Sequence, residues 1–162
     1  QSNELSTITQ KEKLFKDAER QWNTLSSEKG APGRKVDFEI YKSILYNLEI
    51  RKVYLDSKLS LEKFSSIVGT NTTYLSNAVN NYFGCNFKRL INSYRVARAK
   101  ELLDGKDCPV SELFSRCGFA SKSVFYVAFR KVVGMTPLQY ISESFYDSTQ
   151  LSPFITINIL SF

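Results

Sequence analysis

No histidine occurs among the 162 residues of this chain. Acid–base chemistry and metal ligation built on imidazole are therefore excluded. Only three cysteines are present, Cys85, Cys108 and Cys117. An odd number at irregular spacing is no disulfide framework, and reduced thiols in a cytosolic protein are the simpler reading. Zinc would need all three cysteines plus a carboxylate, so neither a metal site nor any other cofactor is expected. No apolar run reaches the ~18 residues of a membrane span, and no secretory signal is visible. The chain is expected to make no membrane contact of its own. A glycine-rich phosphate loop is missing too, so nothing points to an enzyme. Strand signals are absent until the last residues.

Hydrophobic residues make up 43% of the chain, enough for a folded core. The formal net charge is +6, and it is unevenly spread. Residues 57–141 carry twelve Lys/Arg against five Asp/Glu, residues 1–56 carry ten against nine, and residues 142–162 carry none against two. A basic block of this kind suits a polyanion, nucleic acid before membrane.

Periodicity divides the chain. Leu14, Phe15, Ala18, Trp22 and Leu25 recur at helical steps within residues 4–28. Gln1-Ser2-Asn3 reads as the scar of a cleaved tag on a fragment of a larger protein. Lys29 to Lys35, with Gly30, Pro32 and Gly33, reads as a loop. A second helix is expected from Asp37 to Leu55, with Phe38, Tyr41, Ile44, Leu45, Leu48 and Val53 inward. Asn86 to Leu103 forms a long helix, with Phe87, Leu90, Ile91, Tyr94, Ala97, Leu102 and Leu103 apolar and Gly105 ending it. Thr136-Pro137 starts a short helix through Ser144. The alternation Ile155-Thr156-Ile157-Asn158-Ile159 suggests a strand without a partner.

Flanking the long helix, the sequence repeats itself. Phe64 matches Leu113 and Gly69 matches Gly118 at an offset of 49. At an offset of 50, Leu75 matches Phe125, Ala78 matches Ala128, Val79 matches Phe129, Phe83 matches Val133 and Gly84 matches Gly134. Each copy is a short apolar helix, a glycine turn and a longer amphipathic helix, the pattern of a helix-turn-helix. Ser60, Asn71 and Ser121 are placed to cap the helices that follow them. Pro109 suits a first helical position, with that helix running to Cys117. The fold expected is all-α: two helix-turn-helix units joined by a long linker helix, behind an N-terminal helical extension. Residues 1–36 form the lead-in, 37–146 the double unit and 147–162 a tail.

In a helix-turn-helix the second helix enters the major groove of DNA, N-terminal residues toward the bases. Its outward positions here are Thr72, Thr73, Ser76, Asn77 and Asn80 in the first copy, and Lys122, Ser123, Tyr126 and Arg130 in the second. Neither helix carries an acidic residue; phosphate repulsion is a direct reason for that absence, and sampling over two short windows is the bland alternative. Base contacts are expected from Thr72, Thr73, Ser76, Asn77, Lys122, Ser123 and Tyr126. Phosphate contacts are expected from Asn80, Lys88, Arg89, Arg98, Ser121, Arg130 and Lys131, with Lys100 a further candidate. Arg95 is as well suited to a salt bridge, with Glu112 as partner. A linker of about 18 residues spans roughly 27 Å, close to the ~34 Å of one DNA turn. The competing reading is a helical protein-interaction module with a basic face.

Several stretches are similar to the AraC/XylS family of bacterial transcription regulators. They are Gly69-Thr70-Asn71-Thr72-Thr73-Tyr74-Leu75-Ser76; Tyr94-Arg95-Val96-Ala97-Arg98-Ala99-Lys100-Glu101-Leu102-Leu103; Cys117-Gly118-Phe119-Ala120-Ser121-Lys122-Ser123-Val124-Phe125; and Phe129-Arg130-Lys131-Val132-Val133-Gly134-Met135-Thr136-Pro137-Leu138-Gln139-Tyr140. The resemblance covers residues 45–141. It implies seven helices, no enzyme activity and binding to double-stranded promoter DNA, with RNA polymerase and a missing N-terminal sensor or signalling domain as partners. A cytoplasmic location is implied, free or as the cytoplasmic part of a membrane-anchored regulator. The family's base-facing positions fall on Thr73, Ser76 and Asn77, then on Lys122, Ser123, Tyr126 and Val127. Members often carry Arg where this chain has Asn77 and Val127; a valine there has only a thymine methyl to touch.

Overall fold

A computed structural model describes residues 2–28 and 35–150. Among these it shows eight α-helices and no strand. The chain divides after Tyr94 into two units. The loop expected before Lys35 and the strand expected at 155–159 lie outside the described residues. Among the described residues no helix is long and apolar enough to cross a membrane.

The first unit opens with α1, Ser2–Glu28, whose Ala18 and Trp22 are buried. They meet Tyr41 and Leu45 of α2, Lys35–Leu45, in a small cluster joined by Tyr82 and Phe83. The expected single helix to Leu55 is interrupted. It widens into a π turn at Tyr46–Ile50, where Arg51 N donates to Tyr46 O at 3.1 Å. Lys52 then turns left-handed at φ 50° before a 3-10 turn, Val53–Leu55. On a straight α-helix Leu48 and Tyr54 would point roughly 120° apart; the break lets both enter one core. Asn47, drawn inside by the same turn, donates to Ser43 O at 2.8 Å and accepts from Arg51 at 3.1 Å. That satisfies a buried amide locally.

Next come α3, Leu61–Val68, and α4, Thr72–Phe83. Each is capped as its sequence indicates. Ser60 Oγ accepts from Lys63 N at 3.1 Å, and Asn71 Oδ1 from Tyr74 N at 2.8 Å. Phe64, Leu75 and Val79 fill the core together with Ile44, Leu48, Leu90 and Ile91. Leu90 and Ile91 come from the start of α5, Phe87–Asp104, whose N-terminus Asn86 caps through Arg89 N at 2.9 Å.

The second unit contains the rest of α5. Val96 and Ala99 are fully buried there, whereas Ala97, expected inward, is exposed. The helix serves two separate clusters, so one continuous apolar stripe does not describe it. It stops at Asp104 with Gly105 next, as expected, and the left-handed residue that closes it is Lys106, φ 54°. Lys106 N donates to Leu103 O at 3.1 Å and Asp107 N to Leu102 O at 3.0 Å, a Schellman closure. A Cβ at Gly105 would displace the Asp107 carboxylate.

Pro109 sits one position ahead of a helix rather than in it, at φ −61° and ψ 142°. Its carbonyl accepts from Glu112 N at 3.0 Å, so a 3-10 turn, Val110–Glu112, precedes the single-turn α6, Leu113–Arg116. Next is α7, Lys122–Val133, capped by Ser121 Oγ accepting from Val124 N at 3.3 Å. Finally α8, Pro137–Gln150, starts with a reciprocal pair: Thr136 N donates to Gln139 Oε1 at 2.9 Å and Gln139 N to Thr136 Oγ1 at 3.3 Å. It continues past Ser144, where the sequence reading ended it. Two helix-turn-helix units sharing a long helix, the expected class, account for α3 to α7.

Candidate nucleic-acid interface

The two copies share two hydrogen bonds of their turn. In the first, Gly69 N donates to Ser66 O at 3.3 Å and Thr70 N to Ser65 O at 2.9 Å. In the second, Gly118 N donates to Ser115 O at 3.2 Å and Phe119 N to Phe114 O at 2.8 Å. Both glycines stand at φ 83°, a left-handed conformation that an L side chain enters only at a cost. Each turn aims the following helix through the same capping side-chain position, Asn71 or Ser121.

The buried side of each second helix is the same triad: Leu75, Ala78 and Val79 in α4, and Phe125, Ala128 and Phe129 in α7. At about 100° per residue, the direction opposite that triad falls between Thr73 and Asn77 in α4 and between Ser123 and Val127 in α7. Around Asn77 lie Thr73, Asn80 and Asn81, all exposed. Around Val127 lie Ser123, Val124, Arg130 and Lys131, also exposed. Neither helix contains Asp or Glu. The first face is therefore made of neutral hydrogen-bonding groups. The second is apolar near its middle and cationic in its last turn.

The remaining candidates occupy flanks. Thr72 and Ser76 are half-buried beside the α4 face. Lys122 is exposed and its ammonium lies 5.7 Å from the ring centre of Tyr126, itself half-buried edge-on to Phe125. Lys88 and Arg89 are exposed in the first turn of α5. Arg98 is engaged with Glu101 at 3.0 Å, and Lys100 lies 5.6 Å over the Tyr140 ring. Ser121 serves as the α7 cap. Glu112, envisaged as a partner of Arg95, pairs with Arg116 at 3.2 Å, and Arg95 stacks 5.5 Å over Phe119.

Two features escaped the sequence reading. Val124 is 50% exposed and belongs to the outward face of α7; its apolar type hid it among core positions, although its place one turn from Val127 was a usable signal. Tyr74 bonds through its hydroxyl to Asp37 of α2, a contact between residues far apart in sequence. Among the described residues no three or more potential ligands gather for a metal. The Cys117 thiol is fully buried, and burial pushes its pKa up to about 11, so it offers no thiolate near neutrality. The arrangement supplies two exposed helix faces and a set of exposed cations.

Comparison with known proteins agrees with this geometry. Residues 64–143 match a family described as "Helix-turn-helix domain". The HTH-type transcriptional activator RhaR of Enterobacter sp. (strain 638) is 31% identical over 90 residues, which is 56% of this chain and 32% of RhaR. The chain thus spans about a third of that relative. Among solved structures, the C-terminal domain of AraT, a response regulator from Geobacillus stearothermophilus, is 28% identical with a TM-score of 0.58, covering 65% of this chain and 84% of that one. The DNA-binding domain of AdpA, a global transcriptional factor solved with a target DNA, is 19% identical with a TM-score of 0.59, covering 70% and 97%, and shares the fold.

Proposed function

We propose, from the match of residues 64–143 to a helix-turn-helix family and the likeness to RhaR and AraT, that this chain is the DNA-binding part of an AraC-type bacterial transcription regulator. It acts by placing α4 and α7 in successive major-groove segments of promoter DNA. The observation that carries this is the paired design itself: two helices after matching glycine turns, each with a buried triad behind and an acid-free exposed face in front. Asn77, central on its face, is suited to bond adenine N6 and N7, and Thr73 and Ser76 accept either base. In the second unit Ser123, Tyr126 and Lys122 stand toward the base edges and Arg130 and Lys131 toward phosphate. Lys88 and Arg89 hold phosphate beside the first unit and fix register without reading sequence.

Residues 37–146 form the DNA-binding domain in this reading. A sensing or signalling domain elsewhere in the protein and RNA polymerase are its protein partners, and the cytoplasm its place of work. The deciding experiment is an electrophoretic mobility shift on promoter fragments with salt titration. A log–log slope of about −4 to −8 is expected, corresponding to about 5–9 neutralised phosphates. A flat response would overturn DNA binding in favour of a protein-interaction module with a basic face.

A further inference from the structure

We propose that the second unit selects thymine-containing positions through the C5-methyl group, with Val127 and Val124 as the readers. This rests on the DNA-binding reading above and adds to it a specificity that hydrogen-bonding residues do not supply. Val127 is 68% exposed, the highest value among the exposed large hydrophobics of the described residues, and Val124 is 50% exposed. Single exposed apolar residues are ordinary. These two, however, lie at i and i+3 on one helix face. Val127 stands nearly opposite the buried triad, where solvent would favour a polar side chain. Valine adds little helix propensity there, and at 68% exposure it packs little against the core.

The surroundings say what it meets. Ser123 lies one turn toward the N-terminus, the end that faces the bases in this motif. Arg130 and Lys131 lie one turn toward the C-terminus, both exposed, where phosphate is the partner. The valines therefore occupy the stretch between base-edge and backbone contacts. In the major groove the thymine methyl is the apolar feature a base pair presents. A valine set against guanine O6 or cytosine N4 would strip water from a polar group and return no hydrogen bond, so G·C pairs are penalised as well as A·T favoured. The matching positions of the first unit, Asn77 and the Asp37-bonded Tyr74, carry no such pair.

The test uses the full 162-residue chain. Duplexes selected from a randomised library are resynthesised with deoxyuridine in place of thymidine, one position at a time, which keeps the pairing and deletes only the methyl. Two positions are expected where that deletion weakens binding about three- to fivefold each. Val127→Ala should erase the sensitivity at one and Val124→Ala at the other, with unchanged helical content by circular dichroism and an unchanged salt slope. Equal binding of thymidine and deoxyuridine duplexes at every position would overturn the proposal while leaving DNA binding intact, as would full methyl sensitivity in both variants. Failure to select any duplex would overturn the DNA-binding reading itself.

Discussion

Replacing Trp22 with Ala should destabilise the first unit by about 3–5 kcal/mol. Trp22 is only 7% exposed. Its ring centre lies 4.8 Å from that of Tyr82 and 5.6 Å from those of Phe38 and Tyr41. An indole so enclosed removes on the order of 200 Å² from water. At ~25 cal/mol per Å² that is about 5 kcal/mol, lowered by roughly 10–40% for burial already present in the denatured chain. Ring contacts return about 0.5–1.5 kcal/mol. Urea unfolding followed by far-ultraviolet circular dichroism measures the difference. Trp22 is also the single tryptophan, so wild-type fluorescence reports directly on the release of α1. Trp22→Phe keeps most of the apolar area and should lose far less. A Trp22→Ala chain within about 1 kcal/mol of wild type, the range of ordinary surface changes, would refute the reasoning and make α1 a loosely attached lead-in.

The other expectations concern the interface and the thiols. Ala97→Pro changes an exposed position inside α5, so it should cost about 3 kcal/mol through the backbone alone and reduce a two-site footprint to one site; an unchanged footprint would show that the units bind independently. Arg130→Ala should weaken binding about equally on all sequences and lower the salt slope by about 1, whereas Asn77→Ala should change base preference at one position by about 1–3 kcal/mol, as read on a randomised library. Cys117, buried and with its pKa raised by burial to about 11, should resist thiol reagents at neutral pH in the folded chain and react only on unfolding of the second unit; labelling at the native rate of a free thiol would contradict the packing around it.

Much of the fold was legible because its determinants are local. Ser60, Asn71 and Ser121 before apolar runs, and Gly69 and Gly118 after short ones, mark helix boundaries through hydrogen bonds that span three to five residues. The repeat at offsets of 49 and 50 added the second unit, since two copies of a buried triad need the same spacing. The class of the site followed from the acid-free helices, which is a property of composition.

Other features depended on packing between distant segments. Nothing within residues 46–55 indicates a π turn; the need to bring Leu48 and Tyr54 into one core imposed it. The inward side of α5 changed because two clusters claim it, so Ala97 is exposed while Val96 and Ala99 are buried. Val124 was indistinguishable from a core residue by type alone. The sequence by itself determined the helix-turn-helix class, the caps, the turns and the absence of acid on the reading helices, because each is settled within a few residues. Only the tertiary structure decided which apolar side chains face water, that Tyr74 is tied to Asp37 and that Trp22 seals α1 onto α2 and α4, because burial depends on what a distant segment brings against a helix.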